Sequence, residues 1–91
     1  MLIQFDDYIN YRERTFVKYL DRYTEWEVIE RVKTFQINDC VFSELSKDRK
    51  NLVLTAIRRG GDIDYIELPF NHIKWIRFPK GKTFFDRAFE L

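Results

Sequence analysis

The chain has one cysteine, one histidine, three glycines and two prolines in 91 residues. A single Cys40 excludes an internal disulfide, and Cys40 with His72 is too small a set for a zinc cage of the usual Cys/His type. Apolar runs are only two or three residues long, so no membrane span is expected. Met1-Leu-Ile3 gives way at once to Gln4 and two aspartates, unlike a secretory leader, and a reducing cytoplasmic setting is the expectation. Sixteen bases face fifteen acids, so no argument from overall charge is available. With so little glycine and proline there is no linker, repeat or low-complexity tract, and residues 1–91 are read as one small domain.

What the chain does have is aromatic weight. Nine Phe, five Tyr and two Trp supply a large burial payload, which makes a folded domain the expectation despite 34% charged residues. The clearest local pattern is a hairpin. Residues 51–58 are rich in strand formers, and residues 62–68 open with polar–apolar alternation. Arg59-Gly60-Gly61 lies between them, and Gly-Gly tolerates the positive φ of a primed turn. Leu52, Leu54 and Ala56 share one face and Val53, Thr55 and Ile57 the other, which predicts an interior strand. Pro69 stops the second strand, because it cannot donate to a ladder. Residues 69–72 then read as a short turn or a single 3₁₀ turn, and residues 73–78 as a further strand. The segment 82–89 is either an edge strand or a terminal helical turn.

The first half is more ambiguous. Phe5, Tyr8, Ile9, Phe16, Tyr19, Leu20 and Tyr23 fit a helical stripe, and Thr24-Glu-Trp-Glu27 matches a capping box. Against that, Thr15-Phe-Val-Lys-Tyr-Leu20 also suits a strand, and Val28, Ile29 and Val32 are β-branched. The expectation is an α+β domain: an N-terminal helix, then a small, strongly bent antiparallel sheet. A strand, a short turn and another strand over residues 67–78 also occur in SH3-like and Sm-like barrels, which is analogy of fold only.

Catalytic chemistry has little support. His72 has no motif around it and reads first as a turn residue. Cys40 reads as a structural thiol beside an acid that would raise its pKa. Asp6-Asp7 are expected to favour a helix N-terminus, and Asp62 and Asp64 to share one solvated face beside the hairpin turn. Gly60-Gly61 lacks the Lys-Ser/Thr of a phosphate loop. The chain is therefore read as a non-enzyme without a metal or cofactor.

Charge placement is more telling. Residues 1–30 carry seven acids against four bases, whereas residues 31–91 carry twelve bases against eight acids. Within 71–87, Lys74, Arg77, Lys80, Lys82 and Arg87 face only Asp86, with Trp75, Phe78, Phe84 and Phe85 between them. Cations for phosphates and π faces for unstacked bases are what a single-stranded nucleic acid needs. The plainer reading is a solvated mixed-charge rim above a core built from the same aromatics.

Three stretches resemble a known family: Phe16-Val-Lys-Tyr-Leu-Asp21-Arg22, residues 66–77 around Pro69-Phe-Asn71-His72, and Gly81-Lys-Thr-Phe-Phe-Asp-Arg87. Together they are similar to the small RNA cyclic-group-end-recognition domains. That family shows a strand ending in Asp-Arg, a Pro-Leu-His-Arg-Ile-like turn into an Ile-Arg strand, and a closing aromatic-basic strand. Asn71 stands where the family has His, and His72 where it has Arg. The resemblance implies a non-catalytic module that binds RNA ends, carried by Asp21, Arg22, Asn71, His72, Arg77 and Arg87. The expected site is thus Arg22, Asn71, His72, Lys74, Trp75, Arg77, Lys80, Lys82 and Arg87, taking single-stranded or end-modified RNA. The competing expectation is a protein-interaction module, as a homodimer or with another partner, marked by an apolar face away from the basic stretch.

Overall fold

The computed structural model describes residues 1–78 apart from 25 and 39, and of Ile29 only the backbone. Among the described residues there are seven strands, two 3₁₀ turns and no α-helix. The strands are β1 (Leu2–Val17), β2 (Arg22–Tyr23), β3 (Glu27–Gln36), β4 (Phe42–Leu45), β5 (Asn51–Ile57), β6 (Ile63–Pro69) and β7 (Ile73–Arg77). The 3₁₀ turns are Lys18–Leu20 and Phe70–His72. All pairings are antiparallel, and the sheet curls into a half-barrel.

The expected N-terminal helix is absent, and the described residues form an all-β rather than an α+β fold. Met1, Ile3, Phe5 and Ile9 are buried at odd positions, which is the two-residue period of a strand. The helical stripe arose from Tyr8, Tyr19, Leu20 and Tyr23, all of which are exposed. Long-range pairing decides the outcome, since β1 finds four strand partners that no local propensity can foresee. Nor does Thr24 cap a helix. Its hydroxyl accepts from the Thr15 amide at 3.0 Å and donates to the Thr15 carbonyl at 3.3 Å, tying β2 to β1.

β1 is the spine. On one side it pairs with β3 and then β2; on the other, β7 takes Leu2–Phe5 and β6 takes Arg12–Phe16. Register shifts fall between Gln4 and Ile9 against β3 and between Gln4 and Phe5 against β7. Such irregularities bend a strand and let it serve two neighbours on one edge. Pro69 ends β6, and the Phe70–His72 turn redirects the chain into β7, the strand–turn–strand expected for residues 67–78.

The predicted hairpin is present, with Ile57 opposite Ile63 and Leu52 opposite Leu68. The Arg58 amide bonds the Asp62 carbonyl at 2.8 Å, which closes a three-residue loop over 59–61. Gly60 and Gly61 both have φ of 92°, where a side chain is strained. β5 lies between β6 and β4, the interior place its two apolar faces predict. Ile3, Phe5, Leu52, Leu54 and Leu68 are fully buried at the centre of the core. Each contributes on the order of 1.5–3 kcal/mol by leaving water.

Candidate functional site

The described members of the expected basic-aromatic site lie in two places. On β7, Ile73 and Ile76 pack against the core, while Lys74 and Arg77 are exposed. Trp75 lies opposite Gln4 and is half-buried, and the Arg77 guanidinium stacks 4.5 Å from its ring centroid. The chain's own cation therefore occupies a π surface that a base would use. Asn71 and His72 are exposed on the 3₁₀ turn, where His72 Nδ1 is 3.5 Å from the Asp6 carboxylate. An anion arriving there meets a competing acid. Arg22 pairs with Val17, at the end of β1 away from the Leu2–Phe5 segment that holds β7. It does not join the others. Lys80, Lys82 and Arg87, with Phe84 and Phe85, lie outside the described residues.

The carboxylates also differ from expectation. Asp6 and Asp7 are exposed on β1 rather than at a helix start, and Asp7 accepts from the Tyr8 amide at 2.7 Å. Asp64 is not on a solvated face: it is buried, opposite Ala56 on the core side of the sheet. The pleat puts residue 64 on the same side as Ile66 and Leu68, so the carboxylate must find donors inside. Thr15 Oγ1 donates to it at 2.6 Å, and Arg58 Nε donates to its other oxygen. Arg58 also reaches Glu13 at 3.4 Å. Burial first, and then the Asp64 charge, push Glu13 above the ordinary carboxylate value, partly offset by Arg58. Asp62 instead accepts from the Lys18 amide at 3.0 Å. These carboxylates serve the fold. Cys40 is buried, its thiol donates to the Phe42 carbonyl at 3.2 Å, and burial raises its pKa; the neighbouring Asp39 lies outside the described residues. Among the described residues, no three of His, Cys, Asp and Glu gather as a metal ion would require. Nor is any described helix long and apolar enough to cross a membrane.

The most distinctive surface lies elsewhere, on the outer face of the half-barrel. The register aligns three rows across the strands. Ile57, Ile63, Phe16 and Tyr23 form one row; Phe42, Thr55, Tyr65 and Arg14 the next; Glu44, Val53, Glu67, Arg12 and Val28 the third. Ile57 and Phe42 are each 54% exposed, and Tyr23, Trp26 and Val28 are exposed as well. Side chains in such facing positions touch across strands, and here they do. The Phe16 and Tyr23 rings are 4.9 Å apart, and those of Tyr23 and Tyr65 6.0 Å.

Arg14 sits among these rings. Its guanidinium carbon is 4.4 Å from the Tyr23 centroid, 4.5 Å from Trp26 and 5.9 Å from Tyr65. Its Nε is cut off from solvent and has no hydrogen-bond partner. Burial, then the Tyr23 phenol, raise the Tyr65 pKa, while the Arg14 charge acts the other way. Sequence reasoning missed this platform because residues 14, 23, 26 and 65 come together only through the β1–β2 and β1–β6 pairings. The available signal was the alternation of Arg12, Arg14 and Phe16, which a strand reading of residues 12–16 would have put on one face.

No family model matches the chain, and no curated protein or solved structure matches it either. The resemblance to the RNA cyclic-group-end-recognition domains rests on its short motifs alone.

Proposed function

We propose that this domain is a non-catalytic protein-interaction module that docks a partner polypeptide on the outer face of β4, β5, β6, β1 and β2. One observation carries the reading: an exposed apolar and aromatic surface, spread over three ladder rows, lies away from the basic β7. Single exposed apolar residues are ordinary, but contiguous ones mark interaction sites. Trp, Tyr and Arg, which dominate this platform, are the residues that carry most interface binding energy. Its charges balance, with Arg12 and Arg14 against Glu44 and Glu67. That suits a polypeptide better than a polyanion, whose binding relies on accumulated positive charge.

Selection of binders from a random peptide display on the intact domain tests this reading. Peptides should perturb the amide signals of Phe16, Tyr23, Tyr65 and Thr55, and Tyr23→Ala should abolish their binding. Binders that map to other faces would overturn it.

A second reading has its own observation: the Arg77–Trp75 stack beside exposed Lys74 keeps cation and aromatic together on β7. It assigns single-stranded or end-modified RNA to that strand. Affinity should then fall with salt at a log–log slope of about −0.7 per phosphate contacted. RNA oligonucleotides with and without a 2′,3′-cyclic phosphate are the comparison, and absence of binding at low salt would rule the reading out.

A further inference from the structure

We infer that the segment docking on the outer face presents a carboxylate to Arg14, so that an acidic side chain flanked by apolar residues is what this surface selects. The inference rests on the protein-docking reading of that face and adds the chemistry of the partner.

Arg14 and Arg58 share the sheet but not their circumstances. Arg58 holds Asp64 and Glu13. Arg14 has three rings beside it, no hydrogen bond or ion pair to it is present among the described residues, and its Nε is shut off from water. Aromatic rings attract a guanidinium through its flat faces. They leave its N–H bonds, which point outward in the guanidinium plane, unsatisfied. Water now serves whichever of those groups it can reach. A partner that covers the platform removes that water. A purely apolar partner would then bury an unpaired charge, at a cost of several kcal/mol. A carboxylate avoids the cost, because its two oxygens match the fork of guanidinium donors.

The surroundings support this assignment. Three rings at 4.4, 4.5 and 5.9 Å already confine the guanidinium, so less freedom is lost when a carboxylate binds. The row mates Tyr65, Thr55 and Phe42 are neutral, and the row beyond is Ile57, Ile63 and Phe16. On the opposite side Glu67 accepts from Asn51 Nδ2 at 2.9 Å and lies opposite Arg12, so those two charges offset one another and Arg14 remains the positive centre. An incoming acid therefore meets a positive centre bordered by exposed apolar groups. A phosphate chain would have to cross those apolar groups and approach Glu67 and Glu44, which favours a polypeptide over a nucleic acid.

Random 12-residue peptides displayed against the intact domain provide the test. Selected sequences should share one Asp or Glu at a fixed place among apolar residues. In a synthetic version of the tightest binder, changing that acid to its amide should weaken binding to the wild-type domain about tenfold or more. The same change should matter less than about threefold against Arg14→Gln, the signature of direct coupling. The Nε–H resonance of Arg14 in the unaltered protein should shift with the acidic peptide and not with its amide, which keeps the test valid if the variant folds poorly. Peptides that map to the platform with no acid preference, or equal losses in both proteins, would overturn the inference and leave the docking module standing. No peptide on the platform, burial of it in a dimer, or stronger perturbation of it by single-stranded RNA would overturn both.

Discussion

Two arginines on opposite faces of one sheet show how the same side chain can be satisfied within the fold or be held among rings at its surface. Arg58 leaves the tip of the β5–β6 hairpin and reaches inward to Asp64 and Glu13. Arg14 leaves the C-terminal part of β1 and is held outward beside Tyr23 and Trp26. The first completes a set of hydrogen bonds that includes a buried carboxylate; the second completes none among the described residues. Buried polar groups are almost always satisfied within a native protein, and among the described residues Arg14 Nε is not, which is the basis of the proposed carboxylate partner. Arg58 should therefore matter to stability and Arg14 to binding.

The largest expected effect tests the inward side. Asp64→Ala leaves Thr15 Oγ1 and Arg58 Nε without their shared acceptor and should destabilise the domain by about 2–3 kcal/mol. Urea unfolding followed by tryptophan fluorescence would read this as a lowered midpoint with an unchanged slope. A loss below about half a kcal/mol would place Asp64 with ordinary surface residues and remove the contrast with Arg14.

Next in size is the hairpin tip that aims Arg58. Gly60 has φ of 92° with no neighbour within 4 Å of an added Cβ, so substitution there meets conformational strain alone. Gly60→Val should cost about 1 kcal/mol or more. At Gly61 the added carbon would lie 2.8 Å from Lys18 Cδ, the flexible part of an exposed side chain that can yield. Its φ is the same 92°, so both sites should show similar losses. A much larger loss at Gly61 would mean that Lys18 is held in place over the loop.

This hairpin was readable from the chain, and the platform was not. β-Branched residues, Gly60-Gly61 and Pro69 are local signals, and they locate β5, β6 and the Phe70–His72 turn. β1 carries aromatic residues at intervals that suit a helix, and only its partners make it a strand. The site residues divide in the same way. Trp75 and Arg77 are two apart on one strand and were found together, whereas Arg14 meets Tyr23, Trp26 and Tyr65 only across strand pairs. Asp64 lies on the core side rather than the expected solvated face, because a pleat facing solvent and one facing the core look alike until the register is known.

Arg14→Gln is the outward counterpart and should be milder. It loses cation–π contacts worth about 0.5–1 kcal/mol each at partly exposed sites, but also relieves an unsatisfied Nε. Thermal unfolding should shift by the equivalent of no more than about 1 kcal/mol, while acid-dependent peptide binding disappears. A collapse in stability comparable to that of Asp64→Ala would show that the aromatic cluster is a structural clamp.

The smallest effect concerns Glu13, the far member of the Arg58 group. Its pKa is raised from an ordinary value of 4.5, mainly by burial and then by the Asp64 charge, so the folded protein holds this proton more tightly than the unfolded chain does. Stability therefore falls as pH rises from 4.5 through the raised folded value, and a constant penalty remains above it. Glu13→Gln removes that penalty at neutral pH and sacrifices only the 3.4 Å contact to an exposed part of Arg58. The variant should be more stable than wild type at pH 7 by a few tenths of a kcal/mol, with the advantage gone near the ordinary carboxylate value. Asp48 is shifted the other way by its Ser46 hydrogen bond, so its contribution is lost only as pH falls below an ordinary value of 3.8. The two windows do not overlap, and urea midpoints measured between pH 4.5 and 7 isolate Glu13. A variant less stable than wild type across that range would mean that Arg58 depends on Glu13 as much as on Asp64.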